Sequence, residues 1–480
     1  MKLLTGPTLI ALALAMAFPA QAQSNEELLK ELRALRDRVN ELEKKLATQP
    51  AAPAGAAAAA GGAAGAQWGM TPEQARELNR VTMKAEATED NLEMQGFKGL
   101  TISGYMDPAF IYNQRQNRSG FQFLNGAGDD GYAYDNGYIG TVSLDFQKEM
   151  ENGTKWRLTL SPNRGTESVM TGSNRLVHEA TVSIPLSDLN TRLIAGHMPD
   201  WSGYEYLQPT LNPLITHNLL FDFTLPTAYT GVGLDVTAGK WWMRGMVANV
   251  NAAQKTSFNE TPSFVGRVDY SRGEFSGFGG SMLVGKVTNF NDLDNDSLAV
   301  TAEVDGWFTR GDLTLGGQLS YGQQEKAAIV PDAGGGLRDA RWWGVSGLAG
   351  YKITPRLQGL IRADYINNEK NGGGLFGYTG LWVPDEDTTA SPPMLSVNDG
   401  RNGIGPDGNL CLVTPTDADC NRGANRYAIS FGLNYLFNEN TTFKAEYRYD
   451  GADRAVFYDV RSDTYKKTNQ LLGASVVVSF

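Results

Sequence analysis

Residues 443–449 read Phe443-Lys444-Ala445-Glu446-Tyr447-Arg448-Tyr449, with an apolar side chain at every odd position and a charge at every even one. Successive side chains of an extended strand point to opposite faces, so this stretch carries one oily face and one charged face. The same period of two recurs upstream. Phe264, Gly266, Val268 and Tyr270 alternate with Arg267 and Asp269, and Leu357, Gly359, Ile361, Ala363 and Tyr365 alternate with Gln358, Arg362 and Asp364. A soluble sandwich that hides its apolar face alternates in the same way, so no single strand separates the two cases.

The number and punctuation of the strands do separate them. From residue 100 the chain breaks into sixteen such segments whose connections alternate short and long. The short ones, such as Glu151-Asn152-Gly153, Ala238-Gly239-Lys240 and Asn438-Glu439-Asn440, carry the residues that tight hairpins need. The long ones cover roughly 113–135, 163–175, 199–227, 251–261, 289–295, 324–340, 368–424 and 451–467. Tight turns on one side and long loops on the other are what an up-and-down barrel threading an outer membrane requires, and an even strand count agrees with bacterial single-chain barrels. The expected fold is an all-β membrane protein, a 16-stranded antiparallel transmembrane β-barrel over residues 99–480.

Other features bound the reading. After residue 22 no apolar run of about 18 residues occurs, so no transmembrane helix is expected, and a spanning chain with a mean hydropathy of −0.32 must then be a barrel with a polar interior. Residues 1–22 read as a secretion signal, with Lys2, an apolar stretch from Leu3 to Phe18 and a small-x-small site at Ala20-Gln21-Ala22. The remaining chain is acidic, which argues against nucleic acid as a partner. Cys411 and Cys420 are the chain's two cysteines, nine apart in the longest loop, and in an oxidising compartment they are expected to form a local disulfide.

Between signal and barrel, residues 23–47 carry a heptad, with Leu32, Val39 and Leu46 at a and Leu28, Leu35 and Leu42 at d. Glu31 with Arg36 and Arg38 with Glu43 favour parallel association of identical chains into a periplasmic coiled coil. Residues 48–70 form an Ala/Gly/Pro linker. Thr71-Pro72-Glu73-Gln74 then opens a short helix to about residue 94, within a 71–98 connector that lines the periplasmic mouth, plugs it or simply joins the parts.

The last residues, Leu472, Ala474, Val476, Val478 and the terminal Phe480, form an every-other apolar row ending on an aromatic. This resembles the closing-strand signature by which barrel assembly machinery recognises outer-membrane proteins. With it, residues 100–480 resemble the Gram-negative trimeric porins in topology, though in no long diagnostic motif. That resemblance implies a homotrimer in outer-membrane lipid, passive diffusion of ions and small hydrophilic solutes, and a third long loop, 199–227, folded inward as a constriction. The loop holds Asp200, Glu205 and Asp222 and neither Lys nor Arg. Facing it, alternation places Arg157, Arg267, Arg362, Lys444 and Arg448 on the inner wall together with acids. Residues 368–424 hold eight acids against three bases, so a mild cation preference is expected. The alternative is a structural anchor, a closed barrel tethered to peptidoglycan through the coil. Neither a Ser-His-Asp order, nor a phosphate loop, nor metal-ligand spacing is present, so the expectation is a non-enzyme without metal or cofactor.

Overall fold

The computed structural model describes residues 71–94, 96–123, 139–162, 176–251, 262–273, 275–287, 289, 296–328, 336–368, 403–411, 413–414 and 417–480. The expected signal, the heptad from Leu28 to Leu46 and the linker lie outside the described residues. Helix α1 spans Pro72–Met94 and carries an exposed Arg80–Glu77 ion pair one turn apart.

The chain then runs up and down. The first strands are β1 (Leu100–Met106), β2 (Ala109–Asn113), β3 (Arg118–Gln122), β4 (Val142–Glu149), β5 (Lys155–Leu160), β6 (Val177–Asp188), β7 (Thr191–Pro199) and β8 (Ala228–Ala238). They continue as β9 (Trp241–Val250), β10 (Ser263–Gly273), β11 (Ser276–Val287), β12 (Ser297–Arg310), β13 (Leu313–Gln324), β14 (Ala340–Thr354) and β15 (Leu357–Asn367). The last are β16 (Arg426–Asn438), β17 (Thr441–Ala452), the short hairpin β18 (Phe457–Asp459) and β19 (Thr464–Lys466), and β20 (Thr468–Ser479).

Each barrel strand pairs antiparallel with its sequence neighbour, and β20 pairs with β17 on one side and with β1 and β2 on the other, so the sheet closes. Pro108, which has no N–H to donate, divides the first barrel strand into β1 and β2. The second strand is divided too. The chain turns at residues 114–117, runs back as β3 along β2, and pairs again as β4 against β1. Counting β1 with β2 and β3 with β4, and setting the β18–β19 hairpin apart, the barrel has sixteen strands among the described residues. The expected first long connection, 113–135, therefore differs: a turn at residues 114–117 takes its place, and the following strand is the one divided, into β3 and β4. Asp107 fixes both breaks by accepting from the backbone N–H and the hydroxyl of Thr141.

The alternation has the physical effect expected of it. On β16, Arg426, Ala428 and Ser430 are buried while Tyr427, Ile429 and Phe431 between them are exposed, and β17 buries Lys444, Glu446, Arg448 and Asp450. Aromatic side chains gather outside near the short turns, where Trp241, Tyr270 and Phe278 form a row with ring centres 4.7 and 5.5 Å apart. A second belt lies near the long loops, with the Trp343–Tyr365 and Tyr427–Tyr449 pairs. An apolar outer band between two aromatic girdles is the surface that lipid requires. Phe480 closes the seam by exchanging backbone hydrogen bonds with Gly104.

At the long-loop end a second layer forms. Cys411 and Cys420 are disulfide-bonded, joining helix α3 (Gly408–Cys411, numbered after the loop helix α2 at Leu219–Phe223) to a short 3-10 turn at Ala418–Asn421. Asn409 exchanges hydrogen bonds with the backbone of Tyr465 in β19. The β18–β19 hairpin is held by Arg115, whose Nη1 donates to Asp459 Oδ2 at 2.6 Å. Burial alone would raise the Asp459 carboxyl, but bonds from Arg115 and from the Arg461 backbone and side chain hold it down at about 2. A depressed carboxyl stabilises the hairpin fully above its unfolded value near 4 and loses that contribution as pH falls toward 2. Amide exchange at Val460 and Arg461, corrected for intrinsic rates, should lose protection between pH 4 and 2, and Asp459→Asn should lack that step. Equal protection at pH 5 and 2 in the parent protein would contradict this.

Candidate functional site

The 28 residues between β7 and β8 do not stay outside the barrel. They cross the lumen and are gripped by the opposite wall. At the root of this loop, Arg267 Nη1 of β10 donates to the Trp201 carbonyl at 2.8 Å, and Gly203 N–H donates to Glu303 Oε1 of β12 at 2.9 Å. Tyr204 reaches Ser346 of β14, whose hydroxyl in turn donates to Asp364.

The far end is held more tightly. Arg362 Nη1 donates to Glu205 Oε1 at 3.0 Å and to the Thr216 carbonyl at 2.7 Å, and its Nη2 donates to the His217 carbonyl at 2.7 Å. Arg448 Nη1 donates to the same His217 carbonyl at 2.6 Å. Lys444 Nζ donates to the carbonyls of Pro209 and Asn212. Glu446 accepts from the backbone N–H groups of Ile215 and Thr216, at 2.7 and 2.8 Å. The loop supplies no cation, so its carbonyls and acids face a wall that alternation has charged on every second residue. Two inner-wall glycines make room: a Cβ on Gly432 would lie 2.3 Å from Leu214 Cδ2, and one on Gly344 2.4 Å from Leu220 Cδ2.

Helix α2 sits in this loop. Asn218 caps it, accepting from Phe221 N–H at 2.8 Å, and its own N–H donates to Glu205 Oε2 at 2.7 Å. Leu219, Leu220 and Phe223 then pack inside the barrel against inward residues of β9–β16, including Met246, Val265, Leu283 and Trp342, and against Ile404 from the disulfide-bearing segment. The lumen is therefore graded, apolar at the long-loop end and charged toward the short turns.

The sequence-derived site residues fall into two groups. Glu205 and Asp222 are buried and Asp200 is half-buried, Asp200 taking the Tyr229 hydroxyl and the Ser202 N–H, and Asp222 lying 4.0 Å from Arg448. Burial raises the carboxyls of Asp200 and of Glu205, in the latter case despite the attraction of Arg362. Arg267, Arg362, Lys444 and Arg448 likewise bind the loop or neighbouring acids and are buried beneath it. Arg157 stands apart, 37% exposed and paired with Asp145 at 2.9 Å and Glu179 at 3.1 Å.

Arg157 faces a cavity of about 750 Å³ between the underside of the loop and the inner wall. Glu179, Trp242, Arg244 and Trp307 share it, and sequence reading missed all four. The double tryptophan at 241–242 and the register shift between Pro185 and Asp188 obscure the phase of β6 and β9. Pairing supplies the signal: Arg244 sits opposite Asp235 on β8 and Arg267 on β10, both on the inward face.

A closed antiparallel barrel, belted outside with aromatics and crossed inside by a loop on a charged wall, is a membrane-spanning β-barrel of the porin type, and such barrels stand in the bacterial outer membrane. The chain belongs to the family described as "Protein of unknown function (DUF3138)", whose model matches residues 1–480. No curated protein matches it in sequence. Among solved structures it is similar to an anion-selective porin from Comamonas acidovorans, at 10% identity over 79% of this chain and 99% of that one, with a TM-score of 0.47. It is also similar to the OmpF complex with daunomycin from Salmonella typhi, at 12% identity over 79% and 97%, with a TM-score of 0.47. The outer membrane channel DcaP of Acinetobacter baumannii matches at 12% identity over 79% and 97%, with a TM-score of 0.46.

Proposed function

We propose that this protein is an outer-membrane channel for ions and small hydrophilic solutes, narrowed by the loop of residues 200–227. The observation that carries this is the charged cavity under that loop, reached from the short-turn end and bounded by a wall of paired charges. Flux down a gradient needs only a wet, polar lumen of suitable width, so no cofactor enters. Trimerisation, delivery by the barrel assembly machinery through the Phe480 strand, and a periplasmic contact to peptidoglycan through the coil complete the proposal.

Selectivity among small ions follows the net field. Five acids and four bases line the cavity, and many of the expected loop acids fall outside the described residues, so the preference for cations is mild. Purified protein in a planar bilayer should show steps closing in threes, with a reversal potential displaced toward the cation side under a salt gradient. Because burial raises the carboxyls of Asp200 and Glu205, acidification protonates them before ordinary acids, and the cation preference should shrink as pH falls. A preference that grows on acidification would contradict the role given to these acids.

The anchor reading draws on one observation, the apolar packing around α2 at the long-loop end. Deleting residues 24–67 distinguishes the two, because a channel keeps its conductance without them and an anchor loses its attachment to the cell wall.

A further inference from the structure

The cavity beneath the loop has two kinds of wall. One is aromatic: Trp307 lies across Gly277 of the neighbouring strand, where a Cβ would meet the indole at 2.4 Å, so the ring is laid flat on the inner face. Trp242, half-buried, lines the same cavity, with the Arg244 guanidinium stacked 3.7 Å from its ring centre, and Tyr206 hangs from the loop 54% exposed. The other wall offers donors. The Arg157 side chain is 37% exposed and that of Arg244 is 26% exposed, whereas their acid partners Glu179 and Asp235 are 11% and 16% exposed. Glu179 pairs with Arg157 at 3.1 Å and lies within electrostatic reach of Arg244 as well. Lys240, exposed on the turn between β8 and β9, stands at the lip.

Net charge governs a small hydrated ion passing through, but a ligand that docks meets the groups it can reach. Here those are aromatic rings and cationic N–H donors. We propose that this cavity binds planar aromatic carboxylates, the ring stacking on Trp307 and Tyr206 and the carboxylate taking hydrogen bonds from Arg157, Arg244 and Lys240. Stacking supplies the apolar contribution, and charge-assisted bonds orient the anion. This deepens the channel reading by naming a solute class, but binding itself does not require conduction.

The test uses the full-length folded protein in detergent, with benzoate as probe and acetate and benzyl alcohol as controls, read by calorimetry and by current block in a bilayer. Benzoate should bind and lower the current at concentrations where neither control does. Arg157→Gln should weaken it about tenfold through loss of a charged donor. Trp307→Leu should weaken it about threefold to tenfold. Lys240→Ala sits on an exposed turn and folds whatever becomes of Trp307→Leu, and it too should weaken binding. Acetate as effective as benzoate, or variants binding like the parent, would overturn the site. Calorimetric binding in a silent bilayer would uphold the site and reject the channel, while conduction without benzoate binding would do the reverse.

Discussion

Arg362→Ala should release the loop of residues 200–227 from the wall while leaving the barrel closed. Arg362 is fully buried and serves Glu205, Asp364 and the Thr216 and His217 carbonyls, with Glu446 4.0 Å away. Its removal strands several buried acceptors in a low-dielectric interior, a loss of about 3–5 kcal/mol for a broken buried pair. The barrel does not bear that cost, because its strands are joined by backbone ladders whose lipid-facing side is untouched. The loop is the weaker partner and lets go. It holds neither Lys nor Arg, so trypsin cannot report on it, but Trp201, Tyr204, Tyr206, Phe221 and Phe223 make it a chymotrypsin substrate once free. Cleavage should become fast in the variant, and single-channel conductance should rise. Arg362→Lys should rescue only part, because one ammonium cannot serve acceptors spread around a planar guanidinium. Unchanged chymotrypsin resistance in Arg362→Ala would show that the loop is held by something else.

Leu220→Asp should open the long-loop end. Leu220 is fully buried in the apolar layer between α2 and the inner wall. Truncation to Ala would cost about 2–5 kcal/mol as a cavity. A carboxylate there has apolar surroundings in place of a partner, and burying an unpaired charge costs several kcal/mol more. The helix should leave its seat, and conductance should rise in order from parent through Leu220→Ala to Leu220→Asp, with the barrel still resisting dissociation in cold detergent. If Leu220→Asp folds and conducts like the parent, the apolar layer does not obstruct the lumen.

The barrel was legible because lipid outside and charge inside impose a period of two along most of the strands. Strands such as β10, β15 and β17 show it plainly, and their inward charges lie where alternation puts them. What alternation cannot state is whether an inward charge meets water. Lys444, Arg362 and Arg448 read as an open wall, yet they are covered, because their partners come from a loop far away in sequence. The apolar layer was hidden for a related reason. Where a wall strand approaches the long loops, both faces turn apolar, as at Phe264-Val265, Met282-Leu283-Val284 and Trp342-Trp343. Such breaks in alternation look like noise, but they mark places where protein rather than water fills the barrel.

The sequence separation of the loop from its holders also fixes an order in time. Arg362 lies 146 residues beyond the Thr216 carbonyl it binds, Arg448 lies 231 beyond that of His217, and Lys444 lies 235 beyond that of Pro209. Contacts of such separation form late, after the intervening chain has been ordered. During assembly the first strands therefore surround a vacant, wet interior. Arrival of the last strands accomplishes two things at once, sealing the wall at Phe480 and furnishing the residues that draw the loop inside. A barrel halted before β17 would lack both its seal at Phe480 and the Lys444, Glu446 and Arg448 contacts that hold the loop, so an open wall and a loosely held loop share a single cause.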